Sequence, residues 1–403
     1  MGERSVGRRA VLAGAAMLAG PARAQAAPVR IGVLTDEAGP YASSGGAGSV
    51  AAARMAVQDF GGAVLGRPVE VIRADTQNKP DVAGSIAREW YDGGVDAITD
   101  LPVTPVAAAV QQVAREKLRT VLITAAAVTE FTSKTCAPVS SHWADDTHAL
   151  AVGTGKVLTE GGGKTWYFIT VNFSFGEALQ AEAARVIEAG GGRVLGGTKF
   201  PIGNTDFSSQ LVQARTSGAQ VIGLASVGGD QVNLLKQAAE FGMQTSGPQT
   251  LAGFLVYLTD IHALGLDVAQ GLRFPTSFYW DQNPESRAFG QRFIAERRSM
   301  PTQNQANVYA ATTHFLRAMA QAGTQDALAI GRAMRALPVA YFGADTVMRA
   351  DGRVLHDLTL YRVKVPGESR AVWDYLTPVG RVAAAEAFLA INPACAQISG
   401  PAR

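Results

Sequence analysis

Residues able to do covalent or metal chemistry are few in this chain and poorly spaced for it. His142, Asp145, Asp146 and His148 crowd together, but no H-E-x-x-H order accompanies them. A solvated loop leading into a helix is therefore the expectation, and no metal is. Gly163-Lys164-Thr165 ends like a phosphate-binding loop. Leu158, however, stands where its leading glycine belongs, and the segment precedes a strand, whereas such loops follow one. Gly39 to Gly48 is glycine-rich without the G-x-G-x-x-G order of a dinucleotide site, and no G-x-S-x-G marks a hydrolase nucleophile. Cys136 and Cys395 have no C-x-x-C partner. They could pair and tie the C-terminal tail to the body of the first domain, or stay two buried thiols. Catalysis, cofactor and metal are all unsignalled, which leaves binding.

Binding needs loops at the right end of a sheet. In open α/β sheets ligands sit beyond the carboxyl ends of the strands. The loops in that position are Asp36–Gly46, Leu101–Pro105 and Ala125–Thr129 in the first part of the chain. In the second part they are Val171–Gly176 and Ser226–Asp230. The first three are small, neutral and open into helices, whose free N–H groups and positive dipole end suit a carboxylate. Val171–Gly176 is aromatic and suits an apolar ligand body. Ordinary turn chemistry would use many of the same residues.

These loops are placed by an alternation of strands and helices. Strands are expected at 29–34, 68–74, 95–98 and 120–124, with helices at 49–60, 81–91 (capped by Asp81) and 105–116. The pattern restarts with a helix at 148–160 and strands at 165–170, 193–198, 219–224 and 272–276. Between them come helices at 175–189, 206–217 and 230–241. Two α/β units in series with parallel sheets follow, about 28–147 and 148–277. Beyond them, long helices are expected at 284–298 and 304–322, a shorter one at 326–336, and strands at 346–349 and 354–363. The tail from Pro378 reads as small-residue helix and coil.

The leader and the bulk composition set the compartment. Arg4, Arg8 and Arg9 precede a short apolar run, Val11–Ala19, and the overlapping Ala22-Arg23-Ala24 and Ala24-Gln25-Ala26 read as cleavage signals. Residues 1–26 are thus expected to be a signal peptide. The Arg8-Arg9 pair points to the twin-arginine route. The run is too short for a bilayer span, which takes about 20 apolar residues. With 403 residues, 47% hydrophobic, and 44 glycines, the chain can build a large core with many tight turns. Its net charge of +2 is dispersed, without a basic cluster interleaved with aromatics, so nucleic acid is not an expected partner.

Taken in order, several segments resemble one family. They are Ile31-Gly32-Val33-Leu34-Thr35 with Gly39-Pro40, Ala51 to Val57, Val95 to Ile98, Ile123 to Val128, Phe175-Gly176-Glu177, and Asp206-Phe207-Ser208-Ser209. Over about 29–365 the chain is similar to periplasmic solute-binding proteins of the leucine/isoleucine/valine-binding type, which serve ATP-driven (ABC) importers. The resemblance implies an α/β fold of two Rossmann-like lobes with parallel sheets, joined by three crossover strands near 145–148, 276–280 and 349–354. Lobe 1 would be 28–147 with 279–350, and lobe 2 would be 148–278 with 351–390. Ligand would lie in the cleft, which closes on it.

The family's site residues fall here on Tyr41 and Ser44, on Pro102 and Val103, on Ala126, Ala127 and Val128, and on Phe175. The family's ammonium-binding acid falls near Gly253-Phe254, where no carboxylate exists. Asp230, Asp36 or Glu37 would have to replace it, or the ligand has no ammonium, because an unpaired buried charge is costly. Trp143, Phe173, Phe175 and Phe254 suit an aromatic or aliphatic acid. The expected protein is a monomeric periplasmic binder of a small carboxylate-bearing solute, either a branched-chain amino acid or an aromatic acid, with a membrane permease as partner. Rival readings are a ligand-sensing receptor domain for amides or amino acids, and an exported enzyme on the same scaffold.

Overall fold

The computed structural model describes residues 1–3, 27–243 and 248–395, so most of the expected leader lies outside the described residues. The first sheet comprises β1 (Val29–Thr35), β2 (Ala63–Val64), β3 (Arg67–Asp75), β4 (Ala97–Asp100), β5 (Thr120–Ile123) and β6 (Ser140–His142). Their order is β2-β3-β1-β4-β5-β6, parallel except for the β2–β3 hairpin. All of β1 but Arg30 is buried, as expected for a parallel strand covered on both faces.

The second sheet contains β7 (Thr165–Val171), β8 (Arg193–Phe200), β9 (Val221–Ala225), β10 (Thr250–Gly253) and β11 (Arg273–Thr276). A separate hairpin pairs β12 (Val339–Tyr341) with β13 (Ala344–Thr346). β14 (Leu358–Val363) and β15 (Leu376–Val382) then complete the second sheet, in the order β15-β14-β11-β10-β9-β7-β8. β14 runs antiparallel to both of its neighbours, β11 and β15.

The chain crosses between the two lobes three times: after β6, after β11 and before β14. The helices Pro284–Arg297 and Gln303–Ala322 return to the first lobe. Phe289 and Phe293 pack there on Val33, Val50 and Ala51, and Phe315 and Leu316 on Val29 and Ile31. The first loop is braced on the same helices, since Thr302 Oγ1 donates to Ser44 O at 2.7 Å and Gln305 Nε2 to Gly45 O at 3.1 Å.

Several elements differ from the sequence expectation for physical reasons. Asp81 lies inside the first turn of helix Pro80–Asp92, and the cap position is Lys79, with no side-chain cap bond. The helix expected over 148–160 is interrupted by a π-helical stretch, Val152–Lys156, where Gly153 lets the chain pass Pro275. The strand expected at 346–349 is the second arm of the β12–β13 hairpin, displaced toward Ala344. The tail is also not helix and coil from Pro378, because β15 runs through it. β15 is an edge strand, and Pro378 sits beside a bulge in its register with β14, where a missing N–H is tolerated. β6 and β10 were not anticipated. Cys136 and Cys395 form a disulfide, with Cα atoms 6.0 Å apart.

Candidate ligand-binding site

The carboxyl ends of both sheets face one cleft, and at its centre is a small cavity of about 20 Å³. The first lobe supplies Tyr41, Pro102, Thr104, Ala125 and Ala127, and the second supplies Phe173, Phe175, Val227, Leu255 and Tyr257. Among the described residues lining it, none carries a formal charge.

Each wall has a local cause. Asp36, at the end of β1, accepts from the amides of Gly39 (2.6 Å) and Tyr41 (2.9 Å) and from Asn78 Nδ2 (2.9 Å), which folds the first loop inward and presents the Tyr41 ring. Burial, with Asp230 and Asp36 close by, pushes the Tyr41 phenol well above its ordinary value, so it stays a donor. Helix Thr104–Lys117 begins at the cavity with Pro105 in its first turn and no side-chain cap. The Thr104 amide therefore has no intrahelical acceptor, and its hydroxyl stands beside it. Among the described residues no protein acceptor meets the Ala127 amide either. These donors and the positive end of the helix dipole make an anion-favouring wall. Opposite, Phe173 and Phe175 open helix Ser174–Ala189 with ring centroids 6.0 Å apart, tilted by 33°.

The lobes touch across this cavity. Gln303 Nε2 donates to Val256 O at 3.3 Å, Asn304 Nδ2 to the Tyr257 hydroxyl at 2.9 Å, and the Gly229 amide to Pro40 O at 3.4 Å.

Of the residues expected at the site, the structure brings Tyr41, Pro102, Ala127, Phe173 and Phe175 together around the cavity. Others lie elsewhere. Trp143 is wholly buried in the first-lobe core against Phe315 and Leu316, with Nε1 donating to Ser141 Oγ. Phe254 is wholly buried in the second lobe, stacked on Phe168 at 6.0 Å. Ser44 turns its hydroxyl back to Tyr41 O, and the Ala126 amide is taken by Leu101 O. Val103 caps the helix that Thr104 opens, and Val128 precedes a short 3₁₀ turn, both packed into the core. The acids proposed to hold an ammonium are all engaged. Asp230 accepts from the Gly203 amide (3.1 and 3.0 Å), Asp36 braces its loop, and Glu37 lies 3.5 Å from Arg73 at the surface.

Sequence reasoning missed Thr104, Ala125, Val227, Leu255 and Tyr257. Thr104 had a signal, being a hydroxyl residue just before the helix-opening Pro105. Tyr257 and Leu255 have none, because β10 is too short and small-residue to mark the loop that carries them.

Beneath the anion-favouring wall lies Asp100, fully buried, with the Thr35 and Ser49 hydroxyls beside its carboxyl. Asp100 and Leu101 both have positive φ, 78° and 67°, a strained turn of the kind found at functional loops. Burial lifts both Asp100 and Asp260 to about 7. The folded chain therefore holds protons that the unfolded chain, with carboxyls near 4, has released. Stability that is present below pH ~4 falls as pH rises toward ~7. Asp100→Asn keeps the shape and removes this titration, so it should flatten part of the decline. Denaturant midpoints at pH 5 and pH 8 check this. An equal decline in variant and wild type would remove Asp100 as its source.

Two α/β lobes on a three-stranded hinge, with one cleft at the carboxyl ends of both sheets, define a type I periplasmic binding protein. The match to known proteins is specific to the same class. The family model described as "Periplasmic binding protein" covers residues 28–370, and the chain belongs to that family. A periplasmic binding protein from Burkholderia mallei is 42% identical, with a TM-score of 0.87 over 90% of this chain and 96% of that one. A branched-chain amino acid ABC transporter periplasmic ligand-binding protein from Burkholderia xenovorans LB400 is 37% identical, with a TM-score of 0.81 over 89% and 96%. Leu/Ile/Val-binding protein homolog 6 of Brucella melitensis is 26% identical over 65% of this chain and 67% of its own length. Among the described residues no helix is long and apolar enough to cross a membrane.

Proposed function

We propose that this chain is the solute-binding component of an ABC importer, and that its solute is a small organic acid without an ammonium group, aromatic or branched aliphatic. One observation carries the choice of solute: Asp36, Glu37 and Asp230, the acids that could replace the family's, are engaged with the protein itself, and the cavity wall is uncharged. An amino acid in that cavity would bury an unpaired charge. The ABC role is supported by the family and by the description of the relative from Burkholderia xenovorans.

In this reading the carboxylate sits on the Thr104 and Ala127 amides, with the Tyr41 hydroxyl within the same wall. The body lies against Phe173, Phe175, Val227 and Leu255, gaining about 25 cal/mol per Å² of apolar area buried. The solute favours closure because only the closed cleft contacts it from both sides. The lobes would be 28–147 with 279–350 and 148–278 with 351–390. The closed pair would present a composite surface to the permease. The mature chain would act as a monomer after export directed by residues 1–26, by the twin-arginine route.

A thermal-shift screen against leucine, valine, benzoate, phenylpropanoate and 3-methylbutanoate tests this. A true ligand at 100 times its dissociation constant should stabilise by about 2.7 kcal/mol. We expect that response from one of the plain acids. A response to leucine and not to the acids would defeat the ammonium argument, and conversion of any of them to product would defeat the binding reading.

A further inference from the structure

The C-terminal tail leaves one lobe and ends covalently on the other. β15 forms the edge of the second sheet, and after it Ala387 and Phe388 pack on Val152, Leu358 and Val382 of the same lobe. Phe388 also lies against the hinge. The Arg353 guanidinium carbon is 4.7 Å from its ring centroid, and the His356 ring meets it edge-on at 5.2 Å. The tail then passes over Arg349, whose Nη1 donates to Leu389 O at 2.6 Å. Residues 389–394 are largely exposed. Cys395 is buried again and bonded to Cys136, in the first-lobe segment between β5 and β6.

We propose that this tail is a fourth crossing of the hinge, closed by the Cys136–Cys395 bond, and that it limits how far the two lobes separate when no solute is bound. The other three crossings are continuous peptide that bends by backbone rotation. The fourth has a fixed reach. Seven residue steps separate Phe388 from Cys395, and an extended chain spans at most about 3.6 Å per residue. A turn, in which the Cys395 amide donates to Asn392 O at 2.8 Å, takes up part of that reach. The strap therefore tolerates closure and the first stage of opening and resists the rest. The disulfide suits an oxidising compartment, where it persists. The strap narrows the ligand-free ensemble toward forms that can close. Apparent affinity scales with the fraction of molecules able to close, so a shorter strap means tighter binding for the same cleft contacts.

The proposal rests on the two-lobe architecture and not on the identity of the solute, so its test needs no ligand. Small-angle X-ray scattering is measured on the ligand-free mature chain with the disulfide intact, and again after dithiothreitol, which converts the bond to two thiols as it forms its own cyclic disulfide. The same measurement is made on a variant carrying Gly-Ser-Gly-Ser between Ala390 and Ile391, with the disulfide intact. The lengthened strap gains up to about 14 Å of reach. We expect a larger radius of gyration and maximum dimension in both the reduced protein and the insertion variant. Should reduction unfold the chain, the insertion variant decides. Scattering from that variant indistinguishable from oxidised wild type overturns the proposal.

Discussion

Gly228→Val is expected to weaken solute binding by about two orders of magnitude while leaving the second lobe folded. Gly228 sits at φ 67° and ψ −142° in the loop after β9, a backbone region almost reserved for glycine. A Cβ there would lie 2.9 Å from Pro40 O and 3.2 Å from the Tyr41 ring, both across the cleft. The first of these is backbone and cannot rotate away, and a branched side chain adds two further methyl groups. Overpacking of this kind costs roughly 1–3 kcal/mol, and each ~1.4 kcal/mol is a factor of ten in affinity. The backbone strain is present in open and closed forms alike, so it lowers the melting temperature of ligand-free protein without discriminating against closure. The steric clash acts on the closed form alone. Calorimetric affinity for the best acid from the screen, beside the ligand-free melting curve, separates the two. Unchanged affinity would mean that the contact between Gly228 and the Pro40–Tyr41 turn is absent from the bound state.

That contact also shows which parts of the site were readable from sequence. Phe173 and Phe175 were found because a strand with clear β-branched character, β7, fixes where its following loop emerges. Strands β1 and β4 marked the loops of Tyr41 and Pro102, and the family resemblance singled out those two residues. Trp143 and Phe254 follow strands just as closely, but each turned into a core. One residue of register decides whether a ring at a strand end faces the cleft or the sheet. Trp143 lies one position past β6 and meets the helix Gln303–Ala322, and Phe254 lies one past β10, stacked on Phe168 and tilted against Trp166. β10 itself is Thr-Leu-Ala-Gly, too short and too small to stand out from a loop. With it went Tyr257 and its partner Asn304, a bond between residues 47 apart in sequence that no local pattern encodes. The starts of two helices were legible from residue type: Pro284 follows the capping Asn283, and Asp326 caps Ala327–Ala336. The resemblance placed the three hinge crossings, but the polar bonding among them was not legible, because its members come from three distant segments.

The centre of that hinge is Arg353, and replacing it is expected to cost several kcal/mol of stability, about 3–5. Its side chain is fully buried. Nη1 donates to Ala144 O at 2.5 Å, Nη2 donates to His142 Nδ1, and Asp146 lies 3.6 Å away. His142 Nε2 meets Ala126 O at 2.7 Å, which assigns the proton to Nε2 and leaves Nδ1 free to accept. Burial, with the guanidinium beside it, holds that imidazole well below its ordinary value, so it remains neutral. The network continues through Asp145, which accepts from His356 Nε2 at 2.8 Å and from the Ser277 amide at 3.1 Å. All three crossovers are thereby tied to one cluster, with Asp145 and Asp146 on the first, Ser277 on the second, and Arg353 and His356 on the third. Arg353→Met fills much of the volume but strands His142 Nδ1 and Ala144 O without donors and leaves Asp146 with the Ala149 amide and no cation. Removing one partner of a buried ion pair costs about 3–5 kcal/mol. Arg353→Lys keeps the charge but not the planar fork over Phe388 or its second donor, and should recover part of the loss. Guanidinium unfolding of the two variants beside wild type measures both effects. A loss under about 1 kcal/mol for Arg353→Met would mean that the carboxylates relax onto other donors, and that the three crossings are not held together by this cation.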